Sequence, residues 1–289
     1  MNERIEDAST LQQAPEEIKT CCATLYQSDL ARLLLGETFH PGGEALTVRL
    51  GELLQLGPTS QVLDVASGQG ASAILLAQRF GCQVLGIDYG EGAVHLANAR
   101  ARSLGLSHLV SFQQGDAERL PVSSASFDAL ICECAFCTFP DKAAAAVEFQ
   151  RVLKPGGHVG LSDLTRCGEV PPELQGLLAW IACIADAQPI ERYVQMLNGA
   201  GLTVETIEQY DEALGELVRS IQGKLLGVEM LVKLKQIELP PGLDFAQAKT
   251  LAKAAAAAVR AGQFGYVALS ATNGNGMSPV SQKKRKTDI

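Results

Sequence analysis

The chain has 289 residues with a hydrophobic content of 47%, enough to bury a sizeable core in one large domain or two small ones. Its formal net charge of −8 is the opposite of what a protein gripping nucleic acid through charge carries. No apolar run approaches the eighteen or so residues that span a bilayer, and the polar, acidic start Met1-Asn-Glu-Arg-Ile-Glu-Asp7 is not a secretory signal. These features imply a cytoplasmic protein with no membrane partner. In that setting the eight cysteines read as thiols, metal ligands or redox groups rather than a disulfide frame.

Residues 1–58 read as helical, interrupted by the loop Phe39-His-Pro-Gly-Gly43, and are expected to form an N-terminal lid. Strands and helices then alternate. Strands are expected over 62–65, 84–87, 110–113, 127–132 and 158–164, and helices over 71–80, 92–104 and 142–153. Pro155-Gly-Gly157 reads as the stop of the last of these helices. Such alternation specifies an α/β fold, a parallel sheet with helices on both faces. An amphipathic helix is expected over 172–187, with Leu174, Leu177, Leu178, Ile181 and Ile184 at helical spacing, and another over 190–200. Two final strands, 204–207 and 266–269, bracket a helical insertion of about 211–262 expected to cover one end of the sheet. The main domain is therefore 59–271. From 272 the chain turns polar and ends Lys283-Lys-Arg-Lys-Thr-Asp-Ile289, which reads as a disordered basic tail in water.

The most informative stretch is Val62-Leu-Asp-Val-Ala-Ser-Gly-Gln-Gly70, followed by Asp88 at the end of Val84-Leu-Gly-Ile-Asp88. Strand, glycine turn, helix and an acid ending the next strand make a nucleotide crevice at the carboxyl edge of a parallel sheet. Gly68 and Gly70 let the backbone approach a ligand closely, and Asp88 is placed to accept hydrogen bonds from a ribose diol. Gly68-x-Gly70-x-x-Ala73 also satisfies the loose dinucleotide pattern. Asp64 decides between the two. A carboxylate at the mouth of the turn repels a pyrophosphate but suits a ligand presenting an ammonium group, which points to S-adenosylmethionine. A dinucleotide oxidoreductase would also need a hydride-acceptor domain, and none is apparent.

These segments, with Gly86-Ile-Asp-Tyr89, Gly115-Asp-Ala-Glu-Arg-Leu-Pro121, Ser126-Phe-Asp128 and Arg151-Val-Leu-Lys-Pro-Gly-Gly157, follow one another across residues 60–165. In that order they resemble the successive motifs of class I S-adenosylmethionine-dependent methyltransferases. The resemblance implies a seven-stranded Rossmann-like sheet whose last strand is antiparallel, and an enzyme that moves a methyl group to a small molecule. It implies that Asp64, Ala66, Ser67, Gly68, Gly70, Asp88 and Tyr89 surround the cofactor. Asp116 and Ala117 would flank the adenine, and Cys132 and Glu133, at the end of strand four, would line the methyl donor.

Glu133-Cys-Ala-Phe-Cys-Thr-Phe-Pro-Asp-Lys142 further resembles the Asn-Cys-Val-x-Asn-Leu-x-Pro-Asp-Lys segment of arsenite methyltransferases. The match lays Cys134 on that family's arsenic-binding cysteine, and Trp180-Ile-Ala-Cys183 on its later one. Lys19-Thr-Cys-Cys-Ala23 is similar, less exactingly, to its N-terminal Lys-Thr-x-Ala-Cys segment, which brings in Cys21 and Cys22. On this resemblance Cys134 and Cys183 would hold trivalent arsenic as a substrate, with no resident metal, since soft thiolates suit a soft acceptor. Methylation oxidises arsenic formally, so Cys21, Cys22 or Cys134 would return electrons through a disulfide restored by a thiol reductant.

Other readings stay open. Carbon or oxygen methylation of a small metabolite or quinone uses much the same sheet motifs, and a non-catalytic module can hold the cofactor alone. Cys132 and Cys137 suit a site or a core equally, while Cys82 and Cys167 read as small hydrophobes. His40, beside Pro-Gly-Gly, borders the site in this reading; His95, His108 and His158 read as surface or packing residues. Glu133 reads as a group orienting the donor, a base or a solvated acid.

Overall fold

Strand β1 (Gln61–Val65) is apolar except for Gln61 and Asp64, and four of its five residues are buried. That pattern suits a central parallel strand covered on both faces. In the computed structural model, which describes residues 15–26, 33–34, 36, 40–174, 183–234 and 245–274, β1 lies between β2 (Gln83–Asp88) and β4 (Phe127–Glu133), parallel to both. β3 (Val110–Gln114) continues the sheet beyond β2, and β5 (Leu153–Arg166) beyond β4. β7 (Phe264–Asn273) then runs antiparallel to both β5 and the edge strand β6 (Leu202–Gln209). The order is β3-β2-β1-β4-β5-β7-β6, seven strands with the last in sequence antiparallel, as the motif resemblance implies.

The helices among the described residues are α1 (Pro15–Tyr26), α2 (Gly43–Leu53), α3 (Ala71–Phe80), α4 (Glu91–Ser103), α5 (Lys142–Val152), α6 (Ile190–Gly199), α7 (Asp211–Lys233) and α8 (Phe245–Arg260). None of them is long and apolar enough to cross a membrane. Strand alternation divides the core between two faces. Leu63, Val65, Leu130 and Cys132 pack with Phe149 and Tyr193, from α5 and α6. Val62, Ala129 and Ile131 pack with Ile74 of α3 and Ala97 of α4. The insertion, α7 and α8, contributes Leu214, Ala255 and Ala258 to a third cluster around Leu164, Cys183 and Tyr266.

Three expectations change. Helix α5 ends at Val152, and Pro155-Gly-Gly157 lies inside β5 rather than after a helix. There it takes up a register shift, Phe127 facing Leu153 while Ala129 faces His158. Proline has no N–H to give the ladder and Gly156 has φ 76°, so the three residues form an irregular, bulged entry to the strand. Of the helix expected over 172–187, Pro172–Leu174 is a 3₁₀ turn and 183–187 belong to no helix, while 175–182, with Leu177, Leu178, Trp180 and Ile181, lie outside the described residues. β7 reaches Asn273, taking into the sheet two residues that composition assigns to the tail; the basic run itself lies outside the described residues.

The β1–α3 turn is tight. A Cβ on Gly70, φ +81°, would stand 2.4 Å from the Phe112 ring and 3.1 Å from the Ala97 Cβ. Gly70→Ala is expected to lose roughly 2–3 kcal/mol through overpacking and left-handed strain. Gly105, φ +70° with nothing within 4 Å of a Cβ, isolates the strain alone. Urea midpoints at unchanged m-value check the pair, with Gly105→Ala losing clearly less.

Candidate active site

The carboxyl ends of β1, β2 and β4 converge on a cavity of about 160 Å³, to which α1 contributes Lys19, Cys22, Ala23 and Tyr26. Asp64, Ala66, Ser67, Gly68, Asp88, Tyr89, Asp116, Ala117, Glu133 and Cys134 all line it. Gly70 shapes it from behind, as the residue from which α3 starts. Cys132 does not line it. Cys132 is fully buried on the α5–α6 side, because strand alternation turns it away from its neighbour Glu133. Cys21 is also absent from the wall, although Cys22 is present. Cys167 is exposed rather than packed, just beyond the end of β5, while Cys82 is buried as its type favours.

The glycine turn is built by local hydrogen bonds. Ala66 and Gly68 take φ 60° and 51°. Ser67 N donates to Ile87 O at 3.0 Å, and Gly70 N donates to Ser67 O at 2.9 Å. Asp88 accepts from Gly68 N at 2.7 Å and Gly90 N at 2.8 Å, while burial pushes its carboxyl up against those two amides. Asp64 is more extreme. Burial pushes its carboxyl well above the usual range, and the neighbouring charges of Glu133 and Asp88 push it further. Its Oδ2 and the Ser67 Oγ are buried without a hydrogen-bond partner. Such atoms are costly to bury, and three acids around one space demand a cation that also donates hydrogen bonds. The ammonium and sulfonium charges of S-adenosylmethionine meet that demand.

Glu133 closes the far wall. It accepts from Ser72 Oγ at 2.6 Å and from Thr47 Oγ1 at 3.0 Å, and His40 Nε2 stands 3.6 Å away. His40 thus borders the site as its loop context indicates, but Thr47 and Ser72 carry no local signal, since helix packing alone brings them here. Across the cavity, Lys19 Nζ donates to Asp116 at 2.7 Å and Glu118 at 2.6 Å. Burial opposes its charge, but the two carboxylates prevail and push the ammonium up to about 12. Tyr89 Oη donates to Glu16 at 2.7 Å, a second tie between α1 and the adenine side.

The sulfur groups gather beyond Glu133. Cys134 and Cys183 lie with their Sγ atoms 3.9 Å apart, far longer than a disulfide of about 2.05 Å. Both backbones are left-handed, φ 52° and 64°, a conformation that costs a side-chain-bearing residue roughly 1–2 kcal/mol. Tyr26 Oη is 3.7 Å from Cys183 Sγ. Hydrogen bonds from Cys134 and Cys137 hold the Cys183 thiol well below its ordinary range. The bond to Cys183, then burial, push Cys134 up. Cys22 is pushed up to about 12 by burial, then by Cys183 and Cys21. Behind the pair, Asp163 is fully buried and accepts from Cys137 N at 2.8 Å and Leu164 N at 2.7 Å. Among the described residues no group of three or more His, Cys, Asp or Glu is arranged to hold a metal ion.

Sheet order, glycine turn, ribose acid and acid-lined cavity together define a class I S-adenosylmethionine-dependent methyltransferase. A methyltransferase domain family matches residues 56–209, more than half of the chain, and the chain belongs to that family. It is 30% identical over 173 residues to methyltransferase GfsG of Streptomyces halstedii, covering 59% of this chain and 62% of that one. Demethylmenaquinone methyltransferase of Deinococcus radiodurans is 40% identical over 140 residues, 48% of this chain and 55% of its own. Arsenite methyltransferase of Halobacterium salinarum is 29% identical over 161 residues, 55% and 41%. The chain therefore spans less than two thirds of the length of these relatives. Among solved structures, Haemonchus contortus phosphoethanolamine N-methyltransferase 2 in complex with S-adenosylmethionine matches with TM-score 0.72 at 16% identity, over 88% of this chain and 59% of that one. The [4+2]-cyclase SpnF matches with TM-score 0.71 at 22% identity, over 90% and 96%, so the fold hosts more than one chemistry.

Two outcomes are expected of the acids. Asp64→Asn keeps the shape and removes the charge. It should weaken S-adenosylmethionine binding by calorimetry at least about tenfold, the scale of one charged hydrogen bond, without destabilising the cofactor-free protein. Asp163, pushed up to about 7 by burial and then by Cys183, binds its proton more tightly folded than unfolded, where about 3.9 is usual. Its contribution therefore lowers folding stability as pH rises from about 4 to about 7 and is level above, with a slope of up to about 1.4 kcal/mol per pH unit. Urea unfolding of Asp163→Asn at several pH values should show that slope removed.

Proposed function

We propose that this chain transfers the methyl group of S-adenosylmethionine to trivalent arsenic held by Cys134 and Cys183. The observation that carries the reading is the sulfur pair, 3.9 Å apart, with Cys134 in the cavity wall, Cys183 behind it and both backbones left-handed. Left-handed side-chain-bearing residues persist where a site over-determines them. At bond lengths near the roughly 2.3 Å of zinc–sulfur bonds, two sulfurs on one pyramidal arsenic lie a few tenths of an ångström closer than 3.9 Å, so a small shift brings the pair to bridging distance.

The bound cofactor supplies an electrophilic methyl on a positively charged sulfur. Asp64 and Asp88 hold its charged and ribose ends in this reading, and Glu133, fixed by Ser72 and Thr47, faces the acceptor side. Cys183 enters as the thiolate and displaces one hydroxyl of arsenite, which leaves as hydroxide to solvent; Cys134 displaces a second and gives it its own proton. Two As–S bonds replace two As–O bonds, one hydroxide and one water leave, and the oxidation state is unchanged. Alignment of the arsenic lone pair with the methyl then supplies the rate, an effect worth roughly 7–11 kcal/mol in well-oriented systems. Methyl transfer raises arsenic by two oxidation units, and an external thiol reductant returns the two electrons.

Glu133 with His40 favours a second reading, an acid–base pair serving a carbon or oxygen acceptor, in line with the quinone-methylating relative. S-adenosylhomocysteine release with arsenite and glutathione separates the two. The expected result is arsenite-dependent turnover that falls at least about a hundredfold in Cys134→Ser and in Cys183→Ser, the scale of lost acceptor positioning, with cofactor affinity kept. Arsenite methylation that survives both substitutions would overturn the reading, and turnover on a quinone without arsenite would favour the second.

A further inference from the structure

Among the described residues, 183–187, which lead to α6, belong to no helix or strand. A buried cation ties them down. Lys142, the first residue of α5, is only 5% exposed, and its ammonium pairs with the Asp186 carboxylate and donates to Phe139 O at 2.9 Å. Asp186 lies three residues beyond Cys183, and Phe139 lies in the loop that Cys134 opens. Asp186 passes the tie to the sheet, because Gln188 Nε2 donates to its Oδ1 at 3.0 Å and Gln188 bridges to Thr165 of β5.

Nothing about packing asks for lysine at this place. Lysine is almost never buried unless paired, and an apolar residue of similar volume packs as well as a buried ion pair. A cation in the first turn of a helix also opposes the helix dipole. What the ammonium does that an apolar side chain cannot is bond both cysteine-bearing segments at once.

We propose that Lys142 is a positioning residue of the acceptor site, clipping the Cys183 segment to the Cys134 loop and so setting the separation of the two sulfurs. The inference rests on reading Cys134 and Cys183 as the acceptor's ligands. It implies that without the clip the site grips a thiophilic acceptor through one sulfur instead of two.

Phenylarsine oxide, bound to the full chain, reads this directly. Two As–S bonds form, two S–H bonds break and the oxygen leaves as water, with no electrons transferred. Release into excess dimercaptopropanol is timed for the wild type, Lys142→Met, Asp186→Asn and Lys142→Arg, with Cys134→Ser as the one-sulfur reference. The wild type should hold the arsenical at least about tenfold longer than Cys134→Ser, the advantage of a second tethered contact. Lys142→Met and Asp186→Asn should lose most of that advantage, Lys142→Arg should keep most of it, and cofactor affinity should stay unchanged in all three. Folded Lys142→Met and Asp186→Asn proteins that hold the arsenical as long as the wild type would overturn the clip. If the wild type releases it as fast as Cys134→Ser, the arsenic reading fails instead. The clip is then judged by diamide, whose N=N bond takes up two electrons and two protons as Cys134 and Cys183 join. A Cys134–Cys183 peptide forming several-fold more slowly in Lys142→Met supports it, and equal rates refute it.

Discussion

The arrangement depends on one acid that is buried without being satisfied. Asp64 sits in the central strand, where both faces of the sheet are covered, and keeps a carboxylate oxygen with no partner beside two further acids. A stable fold alone would have no use for it. The rest of the molecule is organised to tolerate it. Parallel strands on both sides hold β1 rigid, the left-handed turn after it opens a space in front of the acid, and Asp88 and Glu133 are anchored by hydrogen bonds so that they cannot swing away. The three acids thus leave a fixed place where a positive charge is favoured.

The sheet was legible because buried parallel strands are short apolar runs between turn residues, and β1, β2 and β4 are such runs. The Pro155-Gly-Gly157 segment misled for a physical reason. The punctuation that stops a helix also marks a bulge at the entry to a strand, and only the neighbouring strand's register separates the two. The glycine-turn residues of the cavity wall were legible because turn chemistry is local. Cys132 was misplaced because proximity in sequence to Glu133 means the opposite face in a strand. Tyr26 and Ser72 reach the cavity, and Thr47 reaches Glu133 in its wall, through helix packing, and no local pattern announces them.

Strain is distributed in the same economical way. Five described residues other than glycine have positive φ; two of them, Ala66 and Cys134, line the cavity, and a third, Cys183, lies against Cys134. Ala66 bends the chain in the glycine turn, and the two cysteines bend it where their sulfurs meet. The conformational cost falls where atoms must be aimed and is absent from the strands that carry them.

Helix α1 bears on both ends at once. Lys19 and Tyr26 are seven residues apart on it, about 10 Å along a rigid rod at 1.5 Å per residue. Lys19 is fastened to the acids beside the adenine position, and Tyr26 lies against the Cys183 sulfur. Because one rod carries both contacts, a displacement of α1 that broke the lysine's ion pairs would move the phenol from the sulfur as well, so the two contacts would respond together.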